Sequence, residues 1–188
     1  ALFAVATGVF LAVSDDREAT TGAPTDVDIG FAQDMIVHHQ QAIVMAAYAR
    51  ERTASDEVRA LAATIDAAQQ REIGQMTGWL QSWGEPIQSD RLPMAWMADG
   101  SGSGHSHHEE AGSMPGMASP AEMDRLVNLT GARLDAQFLR LMTRHHEGGL
   151  PMAKEAAANV RAIATSAPEG ADRALIESLP RLEIISSF

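Results

Sequence analysis

One pattern occurs twice in this chain, offset by 107 residues and in register without a gap. The first copy reads Asp28-x-x-Phe31-x-x-x-Met35-x-x-His38-His39-x-x-x-Ile43-x-Met45. The second reads Asp135-x-x-Phe138-x-x-x-Met142-x-x-His145-His146-x-x-x-Leu150-x-Met152. Phe31, Met35, His38, Ala42, Met45 and Ala49 are spaced by threes and fours, which places them on one face of an α-helix. A duplicated helix with His and Met on its inner face predicts a helical bundle. It also offers ligands that suit a soft or borderline metal ion.

Alanine is abundant and aromatics make up 5% of the chain, which favours an all-α fold over a β-rich one. A net charge of −11 argues against nucleic acid as a partner, because phosphate binding needs clustered Lys and Arg. The chain has no Cys, which excludes a disulfide scaffold, a zinc finger and an iron–sulfur site, and suits an oxidising compartment. No Ser-His-Asp or Cys-His nucleophile, P-loop or dinucleotide Gly motif is present. Gly148-Gly149 falls within a helix and reads as close packing or local weakening.

Residues 1–13 are apolar except for Thr7 and Gly8. Thirteen helical residues span about 20 Å, short of the roughly 30 Å hydrocarbon core. This segment is expected to be the remnant of a signal peptide or membrane anchor, placing the folded part outside the cytoplasm, periplasmic or at the cell surface. Residues 14–25 form a linker, and residues 26–188 the helical-bundle domain.

Within that domain Thr25 is the expected N-cap of a first helix running to about Arg52. Ser55 starts a second, with Leu61, Ile65, Ala68, Glu72, Met76, Trp79 and Trp83 inward and Gly84 closing it. Glu72 is the anomaly, since a carboxylate in an apolar stripe must be paired or coordinate something. An irregular Met/His-rich insert occupies 84–118, and its Met94, Met97, His105, His107, His108, Met114 and Met117 suggest a flexible metal-collecting loop. Ser119-Pro120-Ala121-Glu122 signals a short helix ending near Gly131. The second motif helix is expected over about 134–164, kinked at Pro151, and a last helix after Pro168 carries Leu175, Ile176, Leu179 and Glu183 inward. The simplest architecture is a four-helix bundle of two helical hairpins, one per repeat.

Met35 lies three residues before His38 and four before His39, so these side chains meet on one face. Met45 is about 10.5 Å along the axis from His38, too far to share an ion with it directly. In a His-His pair the rings diverge by about 100°, and the apolar stripe selects His38 and His145 as the inward members. Met35, His38, His39, Met142, His145 and His146 are the expected metal ligands, with Glu72 and Met76 next. Imidazole plus thioether without thiolate favours copper, as Cu(I) before Cu(II), with zinc as the alternative metal. Neither repeat contains the Glu-x-x-His of ferritin-type di-iron sites.

The motifs Asp28-x-x-Phe31-x-x-x-Met35-Ile36-Val37-His38-His39, Glu72-Ile73-x-x-Met76-x-x-Trp79-Leu80 and Phe138-x-x-x-Met142-x-x-His145-His146-Glu147-Gly148-Gly149 resemble the domain-of-unknown-function 305 family. The resemblance covers about residues 26–186. It implies a ferritin-like four-helix bundle that is usually exported, and some members are periplasmic copper-binding proteins linked to copper resistance. The chain departs from the family pattern at Pro151 and at Ile185-Ser186-Ser187-Phe188, which makes its two halves unequal.

The leading expectation is therefore an exported, non-catalytic copper-binding protein that sequesters or transfers the ion. One alternative is an accessory subunit of a membrane protein complex, held by the N-terminal segment. Another is a ferritin-like metal-dependent oxidoreductase.

Overall fold

Helix starts and stops follow the local capping chemistry. The computed structural model describes residues 23–97 and 114–166, with side chains as far as 158. Helix α1 spans Asp26–Arg52. Its N-cap Thr25 accepts from the Asp28 amide at 3.2 Å, and the Asp28 carboxylate accepts from the Thr25 amide at 2.9 Å. This reciprocal box satisfies two otherwise orphaned donors. Helix α2, Asp56–Trp83, starts on Ser55 and ends on Gly84, whose φ of 76° is the left-handed conformation that favours glycine. Helix α3, Pro120–Val127, uses the Ser119/Glu122 box with Pro at its first position. Helix α4 spans Gly131–Ser166. A short 3-10 turn, Ala95–Met97, lies in the connection after α2.

The fold is an all-α four-helix bundle, and the described residues contain no strand. Helices α1 and α2 form an antiparallel hairpin. It is pinned by Gln33 to the Pro86 carbonyl at one end, His39 to Glu72 in the middle and Arg50 to Asp66 at the other end. Helix α4 packs on α1, also antiparallel. Phe31 and Met35 share a core cluster with Met152 and Ala156, whereas Met45 and Ala49 share another with Leu134, Phe138 and Met142. The entire predicted stripe of α1, from Phe31 through His38 to Ala49, is buried.

Several expectations need correction. The inner face of α2 is Ala62, Asp66, Gln69, Glu72, Met76 and Leu80, and Leu61 is 43% exposed. Asp66 and Glu72 hold part of that face because each has a partner across the hairpin, Arg50 and His39. The short helix ends at Val127, not near Gly131; Gly131, at φ 58°, instead opens α4. That helix continues through Pro151. Both Pro151 and Glu147, whose carbonyl loses its usual donor, are exposed, so water can satisfy the freed carbonyl.

The described ends of the insert are packed, not loose. Trp96 is buried edge-on against Phe31, with ring centres 6.0 Å apart. Its indole N–H and the Met94 amide both donate to Asp34 Oδ2, at 2.8 and 2.7 Å. Burial raises the Asp34 pKa, and those two hydrogen bonds oppose the rise. Met114 is buried, and Met94, Met97 and Met117 pack on the same core cluster. The expected anchor 1–13, the linker up to residue 22, His105, His107, His108 and the last helix with Glu183 lie outside the described residues. No helix among the described residues is long and apolar enough to cross a membrane.

Candidate metal centre

The two repeats meet at their histidines. Because α1 and α4 run antiparallel, His38 lies directly against its counterpart His145. The ring centres are 3.7 Å apart and the planes tilted by 35°. Both residues are buried, at 0% and 1% exposure.

Hydrogen bonding fixes the tautomer of each ring. His38 Nε2 lies 3.2 Å from the Pro115 carbonyl oxygen, and His145 Nε2 lies 3.0 Å from the His38 carbonyl oxygen. A carbonyl oxygen only accepts, so both Nε2 atoms carry the proton and donate it. The Nδ1 atoms of both rings are then lone-pair acceptors, and both are buried with no protein partner. Burial lowers the pKa of His38 to about 4, with the neighbouring His39 and His146 adding to the effect and the Pro115 carbonyl opposing it. Burial lowers His145 further, to about 2, with His38 as the next contributor. Both imidazoles are neutral near pH 7.

The second histidine of each pair turns elsewhere. His39, fully buried, reaches α2 and meets Glu72, with Nε2 2.6 Å from Oε2 and both side chains nearly inaccessible. This partner accounts for the carboxylate that stood out in the apolar stripe. His146 Nδ1 donates to the Met142 carbonyl one turn back, at 2.8 Å. The antiparallel pairing also separates the methionines. Met35 and Met76 lie in one core cluster and Met142 in the other, so the thioethers flank the histidine layer from its two sides. Among the described residues no three His, Asp or Glu side chains converge as a ligand set.

Sequence reasoning missed the segment that closes this layer. Residues 114–118 cross the two histidine-bearing turns, and Pro115 supplies the carbonyl that His38 uses. Arg144, beside His145, donates to the Met117 carbonyl at 3.2 Å and holds Glu122 with two bonds of 2.8 and 2.6 Å. That pairing with Arg144 lowers the Glu122 pKa to about 2. The available signal was Gly116 within Met-Pro-Gly-Met, a turn sequence just before a helix start. A main-chain carbonyl as partner leaves no side-chain signature.

The domain of unknown function DUF305 matches residues 28–168 of the chain. The solved structure of a "putative secreted protein DUF305" from Streptomyces coelicolor is similar at TM-score 0.62 and 38% identity, covering 87% of this chain and 86% of that one. A DUF305 fragment from Deinococcus radiodurans is similar at TM-score 0.57 and 30% identity, covering 88% of this chain and 95% of the fragment. No curated protein matches the chain. The match begins at Asp28, the first residue of the repeated motif, and runs through both of its copies: the chain belongs to the DUF305 family.

Proposed function

We propose that this protein binds copper outside the cytoplasm and sequesters it or passes it on, without chemical turnover. The observation that carries the reading is the His38–His145 pair, two buried imidazoles whose Nδ1 lone pairs have no protein partner. An unpaired buried polar atom costs free energy, on the order of 1–3 kcal/mol, and a ligand would remove that cost. Each ring already gives its other N–H to a main-chain carbonyl, the arrangement that orients a metal-binding histidine. Both rings are neutral at pH 7, so an incoming cation does not have to displace a proton.

The donor chemistry favours Cu(I). Imidazole and thioether are available and thiolate is absent, since the chain has no Cys. Zinc prefers four nitrogen, sulfur or oxygen ligands, and the described residues bring together no such group. His38 and His145 would bind through Nδ1, with Met35 and Met142, each one turn before its histidine, as the nearest thioethers in sequence. His39 and Glu72 would serve as a supporting pair beside the ion, and Met76 and His146 as neighbours. Placement outside the cytoplasm is supported by the relative from Streptomyces coelicolor described as a "putative secreted protein" and by the lack of Cys.

An anaerobic Cu(I) titration against a chromophoric chelator tests the reading. Wild type is expected to withdraw copper from the chelator, and a His38→Ala/His145→Ala double variant to lose most of that capacity. Equal withdrawal by the two proteins would sink it.

A further inference from the structure

The position three residues after the first histidine of each repeat is Gln41 in one copy and Gly148 in the other, related by the same 107-residue offset. Both touch one segment, residues 114–118. Gln41 grips it by hydrogen bonds: its Nε2 donates to the Ala118 carbonyl at 2.9 Å, and its Oε1 accepts from the Ala118 amide at 2.6 Å. Gly148 admits it by having no side chain. A Cβ there would stand 2.3 Å from the Pro115 oxygen and 2.4 Å from the Gly116 nitrogen. The fit is reciprocal, because a Cβ on Gly116, itself at φ 80°, would come within 2.5 Å of the Arg144 carbonyl oxygen. These are backbone atoms on both sides, so neither surface yields by turning a side chain.

The Pro115 carbonyl that results from this seating is the acceptor for His38. We infer that Gln41 and Gly148 are positioning residues for His38: they seat the 114–118 segment so that the Pro115 carbonyl holds the imidazole proton on Nε2 and keeps the buried Nδ1 as a lone-pair donor for a ligand. That the lone pair serves a metal rests on the copper reading above; that the two residues set the tautomer does not. A side chain at position 148 pushes the Pro115 carbonyl away from His38. The imidazole then loses the acceptor that selected its tautomer, and a proton on Nδ1 blocks the donor atom outright.

Long-range 1H–15N spectra of the histidine rings in the metal-free protein test this. Wild-type His38 is expected as the Nε2–H tautomer, with Nδ1 unprotonated. Gly148→Ala is expected to give a mixture of tautomers or the Nδ1–H form, and Gln41→Ala a shift in the same direction. Gly74→Ala, at a helical glycine with nothing within 4 Å of the added carbon, is the unshifted control. In the same variants the Cu(I) affinity is expected to fall about 10–100-fold, as for loss of a group that orients a metal ligand. Wild-type tautomer signals in folded Gly148→Ala and Gln41→Ala would overturn the inference. If Gly148→Ala does not fold, Gln41→Ala decides alone. A wild-type protein that binds no Cu(I) would defeat the copper reading, and the tautomer comparison would still decide the role of the two residues.

Discussion

His145 donates its Nε2 proton to the main-chain carbonyl of His38, the residue its own ring stacks on, so the two copies of the motif lock onto each other at one point. The antiparallel packing of α1 and α4 places this contact at the centre of the repeat. Met35 shares a cluster with Met152, and Met45 shares the opposite one with Met142. Each end of the layer therefore holds the early methionine of one repeat and the late methionine of the other.

Buried neutral histidines make the fold sensitive to acid. The His38 pKa falls from 6.5 to about 4 on folding, so the unfolded chain binds more protons throughout that window. Stability is then fully present above pH 6.5 and declines as the pH falls toward 4, by on the order of 3 kcal/mol for this residue. His145, lowered to about 2, extends the decline to more acid pH. Glu122 has the usual carboxylate sign: the stability from its Arg144 pair is present above 4.5 and is lost as the pH falls through about 2. Urea midpoints measured from pH 7.5 to 4 should decrease steadily in wild type, and less steeply in His38→Phe. Parallel pH profiles for the two would count against neutral burial.

The His39–Glu72 bond is a second polar contact inside the core, and its two members depend on each other. Removing either one leaves the other buried with a lost partner, at a cost of about 1–3 kcal/mol. Replacing both by apolar residues of similar size, His39→Leu with Glu72→Met, removes the unmet need and should cost less than the two single changes together. A double-mutant cycle by chemical denaturation measures this coupling. Strict additivity would show that the pair contributes nothing as a pair.

Two helical glycines predict effects of opposite sign. A Cβ at Gly30 would lie 2.6 Å from Trp96 Cβ, Cγ and Cδ1, so Gly30→Ala should displace the indole from Asp34. The expected loss is about 1–3 kcal/mol, with a weaker near-ultraviolet circular dichroism signal from tryptophan. Gly74, in exposed α2 surface with nothing within 4 Å, should behave as an ordinary helix position. Gly74→Ala should stabilise the protein by about 0.5–1 kcal/mol. Thermal melts of the two variants should fall on opposite sides of wild type.

Much of this architecture is legible in the sequence because it depends on local rules. The caps at Thr25, Ser55, Gly84 and Ser119 are short-range chemistry, and the α1 stripe follows helical period alone. The inward member of each histidine pair also follows from the stripe. The register of α2 does not, because Asp66 and Gln69 look like surface residues, and the Arg50 that pairs with Asp66 lies across the hairpin. Met94, Met97, Met114 and Met117 read as loop ligands because nothing local marks the groove into which they pack. Direct contact between His38 and His145 depends on the direction of α4 relative to α1, a tertiary fact.

We propose that the Nδ1 atoms of His38 and His145 receive Cu(I). The most direct test is the 15N spectrum of the assigned histidine rings as Cu(I) is added anaerobically. One equivalent is expected to shift the Nδ1 resonances of both His38 and His145 strongly, while their Nε2 atoms stay protonated and the His39 ring moves little. Unchanged Nδ1 resonances at saturating copper, or shifts confined to other histidines, would contradict it.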